Sequence, residues 1–219
     1  MPAINSKTLF LRQWLQRYGW VVLLLIHAFG ILTIVYWDRA FYARFTPLNL
    51  VLSTVLLSLA LPDGKRGLAS FLTACFLLGY AIEWVGIHTG WPFGLYHYGP
   101  SLAPLLSGVP VIIGLNWFLL SLAAGALADQ IFKSRWAAIP AAAALMTGLD
   151  LFIEPVAPLL DFWYWEAPAA PWQNYLAWFL FSVLLQFLRT RWLSRGLFSL
   201  AIIYFAIVWL FFMYLNLAL

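Results

Sequence analysis

The sequence predicts an all-α bundle of about seven transmembrane helices, and three observations support that fold class. Hydrophobic residues make up 64% of the 219 residues and charged residues only 9%, whereas soluble domains contain roughly 45–50% and about 25%. Long uncharged apolar runs follow one another with short connections. The basic residues lie between these runs. No length remains for a separate soluble domain, so we expect a single integral membrane domain over residues 1–219.

The apolar runs define seven candidate spans in chain order. A helix that crosses the bilayer needs about 20 residues, with a range of roughly 17–25. The second run is shorter than that, so we expect its helix to extend beyond the run or to be mismatched to the bilayer. The spans are Tyr18–Tyr36, Pro47–Leu61, Gly67–Thr89, Gly108–Gln130, Trp136–Pro158, Trp172–Leu188 and Gly196–Leu217.

The charge distribution tests the number of spans and gives their orientation. The formal net charge of +4 would suggest nucleic-acid binding in a soluble protein. Here no nucleic-acid partner is expected, because basic residues also concentrate in the cytoplasmic loops of membrane proteins. With the N-terminus inside, only Arg39 and Arg44 fall on the outer side, which favours an N-in, C-out topology with an odd number of spans. The ten inner basic residues are Lys7, Arg12, Arg17, Lys65, Arg66, Lys133, Arg135, Arg189, Arg191 and Arg195.

Several common kinds of functional site are excluded by the sequence. Cys75 is the only cysteine, so neither an internal disulfide nor a cysteine-cluster metal site can form. His27, His88 and His97 lack the spacings of zinc-binding motifs, and we expect no metal. The chain has no Walker or Gly-x-Gly-x-x-Gly motif and no Asp-rich diphosphate–magnesium motif. The last span contains no lysine, which excludes a retinal Schiff base.

Two long loops on the predicted outer side are rich in aromatic residues, proline and glycine rather than in charge. They cover Gly90–Ser107 and Leu159–Pro171. Tryptophan and tyrosine are enriched at the membrane interface of many membrane proteins, which is the simpler explanation for the individual residues. Two proline-punctuated aromatic loops on one side also suggest a lid that folds over the mouth of the bundle.

Three polar residues on different spans are predicted to lie at one depth in the outer half of the membrane. At a rise of ~1.5 Å per residue, Asp150 lies ~21 Å, Glu83 ~22 Å and Asn116 ~20 Å from the inner boundary. Glu154 and His88 lie about one turn higher, beneath the aromatic loops. An ionisable residue inside a span costs about 2.5–3.5 kcal/mol on insertion scales, so a functional role is its default interpretation.

Asp150 and Glu154 are four residues apart, so their side chains share a helix face and can approach each other. Thr147 lies on the same face one turn earlier. Two carboxyls in a low-dielectric site cannot both ionise cheaply, so one is expected to hold its proton near neutral pH. Such a proton suits a Brønsted acid catalyst. The alternative is that these acids satisfy helix ends or pair with Arg39 and Arg44.

The composition around these acids points to a lipid-soluble substrate that enters from the bilayer. Aromatic faces stabilise cations within about 6 Å. A buried acid lined by Trp, Tyr and Phe can therefore protonate an isolated C=C bond and shelter the tertiary carbocation that results. Either water then adds to the cation or a neighbouring double bond closes a ring, and the residues alone leave both outcomes open.

Two blocks of sequence resemble the carotenoid-biosynthesis integral membrane family of CruF type. The first block is E-W-V-G-I-H-T-G-W-P-F-G-L-Y-H-Y at Glu83–Tyr98, followed by G-V-P at Gly108–Pro110. The second is D-L-F-I-E-P at Asp150–Pro155, followed by W-Y-W at Trp163–Trp165. The similarity extends roughly from the third span to the sixth. Glu154 departs from the second block of the family, which usually ends in Asp-Pro.

The resemblance implies a cofactor-independent carotenoid 1,2-hydratase (1′,2′-hydratase for monocyclic substrates) in a prokaryotic cytoplasmic membrane. Such an enzyme adds water across the terminal C1=C2 bond of an acyclic ψ end group and leaves a tertiary alcohol at C1. The implied partners are water, membrane lipid and an acyclic or monocyclic carotenoid similar to γ-carotene or bisanhydrobacterioruberin. Other enzymes of carotenoid biosynthesis are further candidate partners.

For this reaction we expect either Asp150 or Glu83 to donate the proton, with Glu154 and Asn116 tuning the donor or positioning water. Two alternatives to a hydratase are a lycopene-cyclase-type enzyme, which uses the same protonation, and a non-enzymatic carotenoid- or lipid-binding membrane protein, which does not need the paired acids. The residues expected to bind the substrate end group are Trp84, His88, Tyr96, Tyr98, Trp117, Thr147, Trp163 and Trp165.

Overall fold

The computed structural model describes residues 6–61, 65–196 and 198–219, and most of these residues are helical. The predicted all-α bundle is confirmed. The side chains of Lys7 and Lys65, which were used to assign the topology, lie outside the described part. The α-helices are α1 (Ser6–Tyr36), α2 (Arg39–Ala43), α3 (Thr46–Ala60), α4 (Lys65–Thr89), α5 (Ile113–Ile131), α6 (Arg135–Ile153), α7 (Trp172–Trp192) and α8 (Ser199–Ala218).

The predicted spans correspond to these helices, with differences at their ends. α1 begins well before the predicted start at Tyr18, because the helix continues through the basic N-terminal segment. The short second span is α3, and it forms a segment of 22 residues, Arg39–Ala60, together with α2. α6 ends at Ile153 rather than at the predicted Pro158, since Pro155 has no amide hydrogen to continue the helical hydrogen bonds.

α5 lies at the centre of the bundle, where it contacts α3, α4, α6, α7 and α8. Its small residues, such as Ala123, Ala124 and Gly125, are fully buried and let neighbouring helices approach closely. Within the described residues, five helical segments are long and apolar enough to cross a membrane, and α5 and α7 are not among them. These two helices carry buried polar side chains, among them Ser121 on α5 and Gln186 and Arg189 on α7, which lower their hydropathy.

A small sheet covers the predicted outer end of the bundle, where the sequence analysis suggested loops only. β1 (Tyr96–Tyr98) pairs antiparallel with β4 (Trp163–Trp165), so that Tyr96 lies opposite Trp165 and Tyr98 opposite Trp163. Side chains alternate along a strand, which places these four rings on one face and the central residues of both strands on the other. The pairing brings the two aromatic loops to the same end of the bundle, as predicted.

A hairpin precedes α5, so this helix begins at Ile113 instead of the predicted Gly108. β2 (Leu105–Leu106) pairs antiparallel with β3 (Val109–Pro110). Ser107 and Gly108 in the turn have φ values of 47° and 79°, which is the backbone geometry of a tight two-residue hairpin. Single turns of 3-10 helix complete the two loops at Pro100–Leu102 and Pro158–Leu160.

An ion-pair cluster at the opposite end of the bundle joins α5, α7 and the connection to α8. Arg189 Nη1 lies 2.9 Å from Asp129 Oδ2, and Arg195 Nε lies 3.2 Å from Asp129 Oδ1. Arg189 also donates through Nε to Gln186 Oε1 at 2.9 Å. The Arg189 and Asp129 side chains are almost fully buried. The cluster therefore fixes three elements at the end that the charge pattern assigns to the cytoplasm.

Arg189→Met is expected to lower the midpoint of thermal unfolding in detergent. The change removes one of the two cations from a buried carboxylate, and breaking a buried ion pair costs about 3–5 kcal/mol. Arg195 remains beside Asp129, so we expect a loss near the lower end of that range. Arg191→Met, at an exposed position of the same helix, is the matched control. Equal midpoints for the two variants would contradict a stabilising role for the buried pair.

Candidate active site

Glu83 lies on the inward face of α4 and is 4% exposed. Its Oε2 accepts hydrogen bonds from the hydroxyls of Tyr96 and Tyr98 at 2.5 and 2.8 Å, and its Oε1 accepts one from Trp117 Nε1 at 3.1 Å. The two tyrosines are two positions apart in β1, so their side chains point to the same face of the strand and reach the same carboxyl. Glu83 is thus held by three donors from two different elements.

Two glycines on α4 make room for these rings on either side of Glu83. A Cβ atom at Gly79 would lie 2.6 Å from Trp117 Cδ1, and one at Gly86 would lie 2.8 Å from the Tyr96 hydroxyl. Any larger residue at either position would displace a ring that donates to the carboxyl. The spacing of glycine and glutamate along α4 therefore positions the donors of this acid.

A pair of acids, Asp150 and Glu154, lies at the outer end of α6. Asn174, in the first turn of α7, donates through Nδ2 to Asp150 Oδ2 at 2.9 Å and to Glu154 Oε1 at 3.1 Å. Glu154 Oε2 also accepts from Trp163 Nε1 at 3.2 Å and Trp165 Nε1 at 2.6 Å. Asp150 is fully buried, and its Oδ1 has no hydrogen-bond partner in the described part of the chain. One amide thus links the two carboxyls.

A small cavity separates Glu83 from Glu154, and we call it the acid chamber. Its volume is about 30 Å³, which equals the share of one water molecule in the liquid. The chamber is lined by the rings of β1 and β4 and by side chains of α4, α5 and α7. Its lining residues are Glu83, Phe93, Tyr96, Tyr98, Ile113, Asn116, Glu154, Trp163, Trp165, Asn174 and Trp178.

A second cavity adjoins the acid chamber, and we call it the end-group cavity. Its volume is about 90 Å³, and it shares Ile113, Asn116 and Trp163 with the acid chamber. Most of its other lining residues are aliphatic or aromatic. Asn116 therefore lies at the boundary between a polar chamber and an apolar cavity.

An open vestibule of about 430 Å³ lies on the other side of the lid. It is lined by the ends of both aromatic loops, including Gly90, Glu166 and Gln173, and it shares Trp165 with the acid chamber. Trp165 also donates to Glu154, so its side chain contacts both an acid of the chamber and the vestibule.

The aromatic rings around the acids also contact one another. The centroids of Tyr96 and Trp165 are 5.1 Å apart, and those of Trp117 and Trp178 are 4.2 Å apart. Burial, reinforced by the negative charge of Glu83, raises the pKa of the Tyr96 and Tyr98 hydroxyls above the usual range. Both hydroxyls therefore stay protonated and act as hydrogen-bond donors to the carboxyl.

The structure brings most of the predicted site residues together. Three of the four predicted catalytic residues, Glu83, Glu154 and Asn116, line the acid chamber. Asp150 is not among the lining residues in the described chain, and it lies behind Asn174 instead. Among the predicted substrate-binding residues, four line the chamber: Tyr96, Tyr98, Trp163 and Trp165. Trp117 does not line it but donates a hydrogen bond to Glu83.

Three predicted substrate-binding residues lie away from the chamber. Trp84 is 43% exposed, because it follows Glu83 directly and points about 100° around the helix from it. His88 stacks on Trp84, with ring centroids 4.4 Å apart, and its Nδ1 lies 2.8 Å from the Trp84 carbonyl oxygen. The Thr147 hydroxyl donates to the carbonyl oxygen of Ala143 at 3.0 Å within its own helix.

Asn174, which links Asp150 and Glu154, was not among the predicted site residues. A signal was present, since Asn174 is a polar residue near the outer end of the sixth predicted span, level with Glu154. The alternative that these acids pair with basic residues of the first outer loop is not observed. In the described ranges, neither Arg39 nor Arg44 forms an ion pair with an acid of this site.

Comparison with known proteins gives one family and one curated relative. A family described as carotenoid biosynthesis protein matches residues 45–219. Bisanhydrobacterioruberin hydratase from Haloarcula japonica is 38% identical over 128 residues, which cover 55% of this chain and 43% of that protein. The chain therefore spans less than half the length of this relative. No solved structure matches the chain.

Proposed function

Because the chain belongs to the carotenoid biosynthesis protein family, we propose that it is a hydratase that adds water to the terminal C1=C2 bond of an acyclic carotenoid end group. The observation that carries the proposal is the acid chamber, which has room for one water molecule between Glu83 and Glu154 and opens toward an apolar cavity. The relative from Haloarcula japonica is named as a bisanhydrobacterioruberin hydratase, which supports the same reaction class.

The end-group cavity suits the terminal isoprene unit of the substrate. Its apolar lining matches a hydrocarbon, and its shared boundary with the acid chamber would bring the C1=C2 bond next to Asn116. An engineered cavity of about 150 Å³ admits benzene, so a cavity of about 90 Å³ requires modest side-chain adjustment to admit a branched five-carbon group.

The hydrogen-bond pattern favours the Asp150–Glu154 pair as the acid. Asp150 accepts from a single amide, and its Oδ1 has no partner among the described residues, which leaves a place for a proton. Glu154 shares that amide and lines the acid chamber, so it is the member of the pair that reaches the substrate. Asp150 then acts through Glu154 rather than on the substrate directly.

Glu83 is suited to the opposite role of accepting a proton from water. Glu83 and Glu154 each receive three hydrogen bonds, which suit an ionised carboxylate because it has only acceptors. Glu154, unlike Glu83, is linked through Asn174 to a second carboxyl, Asp150, so we assign the proton to that pair and the carboxylate to Glu83. A carboxylate on one side of a single water and a protonated carboxyl on the other supply a base and an acid for the same reaction.

The reaction then follows in two steps. A proton from Glu154 adds to C2, the π electrons form the new C–H bond, and C1 becomes a tertiary cation. The oxygen of the chamber water adds to C1 while Glu83 takes a proton from that oxygen, which leaves a tertiary alcohol. Return of this proton from Glu83 to the Asp150–Glu154 pair restores the starting state. The reaction is redox-neutral, so it requires no cofactor.

The aromatic rings of the lid would stabilise the cation between these steps. Cations are attracted to ring faces within about 6 Å, and the attraction is stronger where water is excluded. Tyr98, Trp163 and Trp165 line the chamber, and Trp163 also lines the end-group cavity, so its ring would lie beside a cation at C1. An end-group cyclase would use the same protonation and the same rings, but it would not need a place for water.

The proposal is tested with purified protein and an acyclic carotene in detergent made up in deuterium oxide. We expect a product whose mass rises by one water and which carries one non-exchangeable deuterium at C2. Incorporation of deuterium without addition of water would favour the cyclase. An unchanged carotene that remains bound to the protein would favour the binding protein and overturn the hydratase.

A further inference from the structure

A large cleft continues the path from the end-group cavity to the outer surface of the bundle. This lipid-facing cleft lies between α1, α2 and α3 and has a volume of about 480 Å³. It shares His27, Thr46, Asn49 and Phe211 with the end-group cavity. Cleft, end-group cavity and acid chamber thus follow one another, and each shares side chains with the next.

The cleft opens where the bundle would face the acyl chains of the membrane. Phe29, Phe41 and Leu48 in its walls are 58%, 50% and 52% exposed. α1 is an apolar helix of sufficient length to cross the membrane, so side chains exposed on it contact lipid. An exposed apolar surface that leads inward to a cavity is typical of a binding groove.

The boundary between the cleft and the end-group cavity carries a polar pair, His27 and Asn49, and the polar groups of this pair are satisfied within the protein. His27 Nδ1 lies 2.8 Å from the Leu23 carbonyl oxygen, and Asn49 Nδ2 lies 3.5 Å from His27 Nε2. Ser53 donates to Asn49 Oδ1 at 3.1 Å. A neutral imidazole with its proton on Nδ1 satisfies both contacts. The path therefore presents no charge to a hydrocarbon.

We propose that the lipid-facing cleft binds the polyene chain of the substrate, so that the end group reaches the acid chamber from within the bilayer, between α1 and α3. The inference rests on the proposed function, which supplies the class of ligand. A carotenoid is much longer than the end-group cavity, so most of its chain must lie outside that cavity. The cleft has a volume within the range of about 300–1,000 Å³ that is usual for ligand sites, and it adjoins the cavity directly.

Two glycines allow a matched test of the cleft. A Cβ atom at Gly30, in the cleft wall, would lie 3.4 Å from Phe211 Cε2, and one at Gly148 would lie 3.5 Å from Trp209 Cζ2 outside the cleft. Gly30→Leu is expected to weaken binding of an acyclic carotene by about tenfold or more, equivalent to about 1.4 kcal/mol. Gly148→Leu makes the same change against a similar ring and should bind as the wild type does.

Protection of an introduced thiol gives a readout that does not depend on catalysis. Cys75 is buried, so a cysteine placed at an exposed position is the reactive one. Leu52→Cys lies in the cleft, and Leu25→Cys lies on the same lipid-facing side outside it, with native exposures of 41% and 63%. An acyclic carotene is expected to slow maleimide labelling at position 52 and to leave labelling at position 25 unchanged.

The two measurements separate the cleft from the reaction. Equal labelling at position 52 with and without carotene, or equal binding by the two glycine variants, would overturn the cleft even if the wild type hydrates its substrate. Protection at position 52 together with an unchanged carotene would support the cleft and overturn the hydratase. Absence of both protection and hydration would overturn both.

Discussion

Glu83→Gln is expected to reduce the rate of carotene hydration by about a hundredfold or more, in line with the contribution of a general acid or base. Glutamine keeps the length of the side chain, so the acid chamber should keep its shape. The amide cannot accept a proton from water, and its NH2 group would face the two tyrosine hydroxyls that now donate to the carboxyl. The measurement is the initial rate of formation of the water adduct, with folding checked by thermal unfolding in detergent.

Glu166→Gln is the matched control for this variant. Glu166 follows β4 directly, is exposed, and lines the outer vestibule rather than the acid chamber. The control should hydrate carotene at the rate of the wild type. If Glu83→Gln also kept that rate, Glu83 would have no part in proton transfer, and the role of base would have to pass to another group.

Asp150→Asn and Glu154→Gln are each expected to lower the hydration rate by about a hundredfold, and the double variant should be little slower than the slower single variant. Groups that act as one catalytic unit show such non-additive losses. The expectation follows from the single Asn174 amide that both carboxyls share and from the position of Asp150 behind the chamber. The four proteins are compared by initial rate at saturating carotene.

Losses that multiply in the double variant would contradict a shared acid and indicate that the two carboxyls act independently. Asp161→Asn is the control for the aspartate change. Its carboxyl accepts from the Tyr164 hydroxyl, whose strand position lies on the face of the sheet away from the acids. Asp161 has a φ of 53°, which asparagine tolerates well, so the control should fold and hydrate normally.

The proximity of the buried polar residues was predictable because the rise of a helix is fixed. Counting residues from the ends of the spans placed Glu83, Asn116 and Asp150 at one level, and the structure brings the first two to one chamber with the third beside it. The number and order of long helices were predictable for a related reason, since only uninterrupted helices of sufficient length satisfy their backbone groups in lipid.

Which side of each helix points into the bundle was harder to predict. In a membrane bundle apolar residues face both lipid and protein, so hydropathy does not mark the inward face. Trp84 and His88 consequently appeared to belong to the site, although they lie on the exposed side of α4. The pairing of β1 with β4 was also missed, because strands of three residues leave too short a pattern for period-2 alternation to be recognised.

A chamber of about 30 Å³ admits one water molecule at a time, so in the proposed reaction the carbocation would meet a single nucleophile and no bulk solvent. Each step of an acid-catalysed hydration can run backwards, and the carboxyls that add water can also remove it. The balance between alkene and alcohol is then set outside the protein. A hydroxylated end group prefers the headgroup region to the centre of the bilayer, and its migration to that region draws the equilibrium toward the alcohol.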